Sequence, residues 1–290
     1  MILNGITIAN RILMSKIASN PYVLDTLPAA SAAYSLRRLK STYTGSLIEV
    51  RRSSDNATQD IGYDVNGNLD TTALLLFVGA NNGFVSKWYD QSGSGLTAAN
   101  ATASGQPQIV TSGSVNTQNA KPTVSYVSSD VLSTVAQTTL ASGTTSGTLN
   151  VVAKSNAAAN TDTVSYGTAA SNQARALGMA ASGALQYLTH ANDITTGFTP
   201  SPITSPFVQT GVFTQSLLSA FANGAAVNTK AIAMNTASNT VLRLGAYAGG
   251  ANFWSGNIQE VIIFNSALST GDRNTLELNQ GSFYSITVSS

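Results

Sequence analysis

From residue 84 onward the chain is a succession of short runs rich in Val, Ile, Phe and Tyr, each closed by Gly, Asn, Ser or Pro. FVSKWYDQ, PQIV, PTVSY, TLNVVAKS, ALQYL, PFVQTGVFT, LLSAFANG, VLRLGAYAG and IQEVIIFN follow one another in this way. Runs of this length and residue type read as strands, and many of them at regular spacing predict a β-sandwich. A chain of 290 residues falls within the size range of one large sandwich. No fixed-period repeat and no long linker divides it.

The first third is more mixed. Residues 1–24 read as a separate N-terminal arm, with an Asn-Gly turn between short apolar runs and Asn20-Pro21 near its end. Its Ile2, Leu3, Ile6, Ile8, Ile12 and Leu13 call for a partner surface, in the same chain or on another protein. PAASAAYSLRRLK, residues 28–40, predicts a helix, because Pro28 suits a first turn and Ala32, Tyr34, Leu36 and Leu39 are tolerated inside one. In SLIEVRRSS, Leu47, Glu49 and Arg51 alternate with Ile48, Val50 and Arg52, the period of a half-buried strand. DTTALLLFVG reads as a short helix stopped by Gly79, and ALSTGDRNTLELNQG as another near the end. The domain division is therefore an arm, 1–24, and one sandwich domain, 25–290.

Composition removes whole classes of function. Hydrophobic residues make up 43% and charged residues 9%, with a net charge of +1. The apolar share can fill a large core, which argues against disorder. The charge balance offers no bulk attraction to nucleic acid or anionic membrane. No apolar run reaches the length of a membrane-spanning helix, and the first residues do not read as a signal peptide. The absence of cysteine excludes disulfides and thiolate metal sites.

Two long strings carry a family likeness. One is AYSLRRLKSTYTGSLIEVRRSSDNATQDIG, residues 33–62, with Tyr43 to Gly45 and the string from Arg52 to Ile61 as its markers. The other is KWYDQSGSGLTAANATASGQP, residues 87–107, with Tyr89 to Gly93. Together they resemble the catalytic domain of fungal α-L-arabinofuranosidase B, and are also similar to strings in bacteriophage virion proteins. FANGAAV and LRLGAYAGGANFWSGNIQEVIIFNSALSTGDRNTLE resemble the last strands of laminin-G-like and concanavalin A-like domains. The resemblance implies a mainly β fold, a concanavalin A-like (laminin-G-like) antiparallel β-sandwich or jelly roll with a few short helices behind the N-terminal arm.

What the likeness implies about chemistry is negative at two places. Its nucleophilic Glu is expected near residues 164–188 and its acid/base Asp near 244–254, and neither stretch contains Asp or Glu. Its vicinal cysteine pair is also missing, with Asp162 and Thr163 near that place. Between Asp90 and Glu260 the acidic residues are Asp130, Asp162 and Asp193. The expectation is a non-enzymatic virion protein, in the tail, a fibre or a capsid decoration, made in the host cytoplasm without a signal peptide. It would be a homo-oligomer held to other virion proteins through residues 1–24, with a host surface glycan as further partner and no cofactor. The alternatives are a free carbohydrate-binding module and an α-L-arabinofuranosidase.

Candidate side chains follow from residue type. Trp88, Tyr89, Asp90, Gln91 and Trp254 combine rings that stack on sugars with groups that bond hydroxyls. Arg51, Arg52, Asp55 and Asp60 read as a loop-fixing network of charge-assisted hydrogen bonds, and Arg37, Arg38, Lys40, Arg51 and Arg52 as solvated charge and local salt bridges. Asp64 to Asp70 has alternating oxygen ligands, but Leu69 and Leu75 stand where a calcium loop needs Gly and Glu. An Asn-Gly turn is the preferred reading, and no metal is assigned. His190, with Asp193 three residues on, reads as a surface residue, since no nucleophile elbow accompanies it.

Overall fold

The computed structural model describes residues 22–127 and 129–289. All but the last three residues of the expected arm lie outside that range. Val23 and Leu24 are part of the sandwich: they pack with Leu39, Leu268 and Leu276, and Leu24 N donates to Leu39 O at 3.0 Å.

The long strands, in chain order, are β1 (Ala30–Ser35), β2 (Ile48–Arg52), β3 (Thr58–Ile61), β4 (Gly83–Trp88), β5 (Gln108–Thr111), β6 (Val124–Tyr126) and β7 (Gly147–Ser155). They continue as β8 (Thr161–Gly167), β9 (Ala174–Met179), β10 (Leu185–Leu188), β11 (Phe207–Phe213), β12 (Leu217–Ala222), β13 (Ala225–Ala231) and β14 (Gly256–Phe264). Two helices join them, α1 (Thr71–Val78) and α2 (Thr270–Tyr284). One layer runs β13-β12-β11-β7-β14, with β1 and β6 sharing the far edge of β14. The other runs β10-β9-β8 and continues through the short strand Arg243–Leu244 and further short pairings to β4, β2 and β3. Ladder pairing is antiparallel throughout, as the sandwich reading requires.

The core lies between the layers, where Trp88, Tyr126, Leu149, Val151, Tyr166, Leu177, Phe213 and Trp254 are wholly or almost wholly buried. β14 is buried along all nine residues, because a second surface covers its outer face. Ile258, Val261 and Ile263 face the core, while Ile262 and Phe264 pack with Leu276 of α2. A strand covered on both faces reads as a continuous apolar run, which is what IQEVIIF is.

The helices expected near 70–79 and 267–281 are present and capped. Asp70 accepts from Ala73 N at 2.9 Å at the start of α1, and Gly79, at φ 61°, ends it. Ser269 Oγ accepts from Asp272 N at 3.1 Å at the start of α2. The helix expected over 28–40 is instead the strand β1. Ala32 and Tyr34 join the core and Ala33 the opposite cluster, the period of two, and residues 30–35 pair with 260–264. Ladder bonds and burial on both faces outweigh the helical propensity of an alanine-rich run.

Arg37 corrects another expectation. Rather than being solvated, it is 4% exposed and grips Glu260 of β14 with two hydrogen bonds, Nε to Oε2 at 2.9 Å and Nη2 to Oε1 at 3.1 Å. Ser35 Oγ, Tyr284 Oη and Gln280 Nε2 donate to the same carboxylate. Burial pushes the Glu260 carboxyl up, but Arg37 and these donors outweigh it and hold it below its ordinary range. No helix among the described residues is long and apolar enough to cross a membrane.

Candidate active site

The residues singled out for sugar contact are placed as structure rather than as a groove. Trp88 and Trp254 are wholly buried in the core and turn no ring face to solvent. Asp90 is the knot of its loop, accepting from Ala33 N, Ser92 N and Gly95 N and from the Ser92 and Ser94 hydroxyls. Gln91 is equally engaged: it accepts from Leu39 N and donates to Ser35 O and Arg37 O. Tyr89 is half-buried and donates to Asp60 Oδ1 at 2.7 Å.

The loop network is present with other pairings than a simple Arg-Asp set. Arg52 pairs with Asp55 at 2.6 Å, whereas Arg51 donates to the side chains of Gln106 and Asn56 and to Ala103 O. Asp64 Oδ1 accepts from Asn66 N and Asn68 N around Gly67, which has φ +78°. That is the Asn-Gly turn. No group of three or more His, Asp or Glu that could hold a metal ion exists among the described residues.

A different cluster forms on the face of β8, β9 and β10 turned away from the core. At the start of β8, Asp162 is paired in register with Gly178 of β9, just where the ladder slips by one residue. Bulges of this kind re-aim a side chain. A Cβ on Gly178 would lie 2.6 Å from Asp162 Oδ1 and 2.3 Å from Thr161 O, so the glycine makes the space that the carboxyl occupies. Asp162 N donates to Asn252 O at 2.9 Å, and the Asn252 side chain lies near enough to the carboxyl to favour its charged form. The residue is 2% exposed, and its Oδ1 has no hydrogen-bond partner.

The loop after β10 brings in the second carboxyl. Asp193 Oδ1 accepts from Thr189 N at 2.7 Å and His190 N at 2.9 Å, with His190 at φ +79°. His190 Nδ1 lies 3.1 Å from Tyr247 Oη, and the two rings stack with centroids 6.0 Å apart. Tyr247 closes a small apolar cluster with Ala174, Ala176 and Ala248. Alanines on that face of β9 let the 245–253 loop pack directly on the sheet.

Electrostatics ties these groups together. Burial pushes the Asp162 carboxyl up to about 7; the Asn252 side chain opposes this and the Asp193 charge adds to it. The Tyr247 hydroxyl is pushed up by burial and then by Asp193 and Asp162. A buried acid whose carboxyl is shifted and feels a second charge marks this cluster as a candidate site. The motif windows missed it because Asp162 stands two residues before residue 164 and Asp193 five after residue 188. The signal within reach was the scarcity of acids in this region, together with Gly178 inside a strand.

The profile of the family described as "Alpha-L-arabinofuranosidase B, catalytic" matches residues 22–284. Among solved structures, a mutant GH54 α-L-arabinofuranosidase soaked with 4-nitrophenyl α-L-arabinofuranoside superposes with a TM-score of 0.71 at 16% identity. The match covers 92% of this chain and 65% of that one. An arabinofuranosidase complexed with arabinofuranosyl-α-1,2-xylobiose gives 0.69 at 17% identity, over 93% and 66%. The binding domain of Paraclostridial Mosquitocidal Protein 1 gives 0.50 at 12% identity, over 82% and 52%, a likeness of fold alone. The chain thus spans about two thirds of the length of the arabinofuranosidases it matches. No curated protein matches it.

These findings overturn the expectation of a non-enzymatic virion protein. The match is to a catalytic domain, its span of residues 22–284 includes both acid-free stretches, and the similar solved structures are arabinofuranosidases. The two stretches are free of acids as read, but a family match over residues 22–284 outweighs an inference drawn from two windows of the sequence. By the extent of the profile match, this chain belongs to the α-L-arabinofuranosidase B catalytic-domain family.

Proposed function

We propose that this chain is an α-L-arabinofuranosidase-type glycoside hydrolase domain in which Asp162 and Asp193 carry the acid–base chemistry. The observation behind the reading is Asp162: a sealed carboxyl, one oxygen unpartnered, pushed up to about 7 beside a second carboxyl. Glycosidic hydrolysis needs such a pair, one group protonating the leaving oxygen and the other supporting the anomeric carbon as it turns positive. With a value near 7, Asp162 holds a proton at neutral pH and gives it up readily, the condition for a general acid. Asp193, whose charge acts on Asp162, is the second carboxyl of the proposed pair. Tyr247 and His190 form the wall between solvent and the alanine-lined floor.

The pair differs in origin from what the family likeness implies, since residues 164–188 and 244–254 contain no Asp or Glu. An arabinofuranoside is the substrate class favoured by the similar solved structures.

Release of 4-nitrophenol from 4-nitrophenyl α-L-arabinofuranoside tests this directly. Asp162→Asn and Asp193→Asn are each expected to lower kcat by about 100-fold or more, with unfolding curves showing that both variants remain folded. No release above the buffer rate by the unaltered chain between about pH 4 and pH 8 overturns the reading, as does sugar binding without turnover.

A further inference from the structure

After Thr71 and Thr72, α1 is apolar from Ala73 to Val78, yet the sandwich covers only part of it. Leu74 and Val78 are buried, Leu75 and Phe77 are half-buried, and Leu76 is 86% exposed. At the tip of the neighbouring Asp64–Asn68 turn, Val65 is 100% exposed. Beside α1 opens a cavity of about 580 Å³, with Leu36, Leu69, Leu75, Val115, Pro122 and Phe283 on its walls. A helical stretch apolar all round is normally covered all round, and exposed apolar side chains near an open cavity mark a candidate binding face.

The chain itself supplies an occupant at the rim. Tyr22 is held there by Arg38, whose guanidinium lies 4.8 Å from the ring centroid and whose Nη1 donates to Tyr22 Oη at 3.3 Å. The same ring lies 3.6 Å from where a Cβ on Gly67 would sit, against the turn that carries Val65 and lines the cavity. Twenty-one residues precede it, with Ile2, Leu3, Ile6, Ile8, Ile12 and Leu13 and no acidic residue among them. At about 3.3 Å per extended residue they reach far beyond α1.

We propose that residues 1–21, which lie outside the described residues, cover this surface in the same molecule, with their aliphatic side chains in the cavity and across Leu76. The inference is independent of the hydrolase reading.

Because the chain has no cysteine, introduced pairs report without background. In the full chain, Leu76→Cys is combined in turn with Ile2→Cys, Ile6→Cys, Ile8→Cys and Ile12→Cys. Val135→Cys, at an exposed position off this surface, replaces Leu76→Cys in the controls. Mild oxidation is expected to join at least one Leu76 pair within the monomer and no control pair. Crosslinking no greater than the controls overturns the proposal; crosslinked dimers without monomeric crosslink overturn it in favour of a second copy. In the cysteine-free chain, Leu76→Asp is expected to speed trypsin cleavage after Arg11 and Lys16 about tenfold, by favouring the open form. An unchanged rate overturns the proposal as well.

Discussion

A carboxyl enclosed at the start of β8 with one oxygen unpartnered must resist ionisation, and Asp162 does, standing at about 7 against an ordinary value of 3.8. The sign for stability follows. The folded state binds this proton more tightly than the unfolded chain, so the favourable contribution is full below about pH 4 and is lost as pH rises to about 7. A shift of about three pK units corresponds to about 4 kcal/mol. Asp130, pushed up to about 6 by burial, acts in the same direction in an overlapping window. Urea unfolding of the Asp162→Asn variant is therefore expected to show a shallower loss of stability between pH 4 and pH 7, with a residual slope from Asp130. The variant should exceed the unaltered chain by about 2–4 kcal/mol at pH 8; superimposable pH profiles would show that Asp162 ionises freely. Burying this carboxyl comes at the expense of the fold, and its sequence neighbourhood gives no sign of it. An Asp in a strand reads as a misfit until the facing residue is known to be Gly178 and the 189–193 loop is known to return. Trp88 and Trp254 were ambiguous for a related reason: a ring beside polar residues suits a groove or a core, and the face of the strand decides.

The elements were legible where local chemistry and burial agree. Asp70 and Gly79 bracket α1, Ser269 opens α2, and the alternation of residues 47–52 is that of β2. They were illegible at β1, where local preference and tertiary pairing conflict. The same segment leads into the contact that fastens α2 to the sheet. Arg37, just past β1, meets Glu260 of β14, and Gln280 and Tyr284 of α2 close over that carboxylate from outside. This helix is held by a polar seam more than by a leucine stripe, with Arg273, Glu277, Gln280 and Tyr284 among its buried residues. Removing one member of such a seam leaves the others dry and unpaired. Glu260→Gln is expected to destabilise the chain by about 3–5 kcal/mol, the cost of stranding a buried guanidinium. The effect belongs to pH 6–8. Because the Glu260 carboxyl is held below its ordinary range, its contribution is present above about pH 4.5 and is lost as pH falls through its folded value. Chemical denaturation at pH 7 measures the difference; a change under about 1 kcal/mol would mean that water reaches Arg37 in the variant.

Across the whole molecule, charge is scarce and unevenly used. With 9% charged residues, the described chain makes four ion pairs, and two of them, Arg37–Glu260 and Arg273–Glu277, are buried. The other two, Arg52–Asp55 and Lys87–Glu49, are partly exposed. Hydroxyls and amides wet the remaining surface, and their hydrogen bonds are not screened by mobile ions. Salt screens exposed pairs and hardly touches buried ones. Exposed pairs are worth about 0–1 kcal/mol each, and in a chain of this size 1 kcal/mol moves the melting midpoint by about 2–4 °C. Raising sodium chloride from about 50 to about 500 mM at pH 7 is therefore expected to move Tm by less than about 3 °C. Chloride is the right probe, because sulfate raises Tm through exclusion from apolar surface whatever the charges do. A fall of more than about 8 °C would exceed what two exposed pairs can lose. It would mean that the buried Arg37 and Arg273 pairs open to solvent below the melting transition, and that the seam under α2 is the first part of the sandwich to give way.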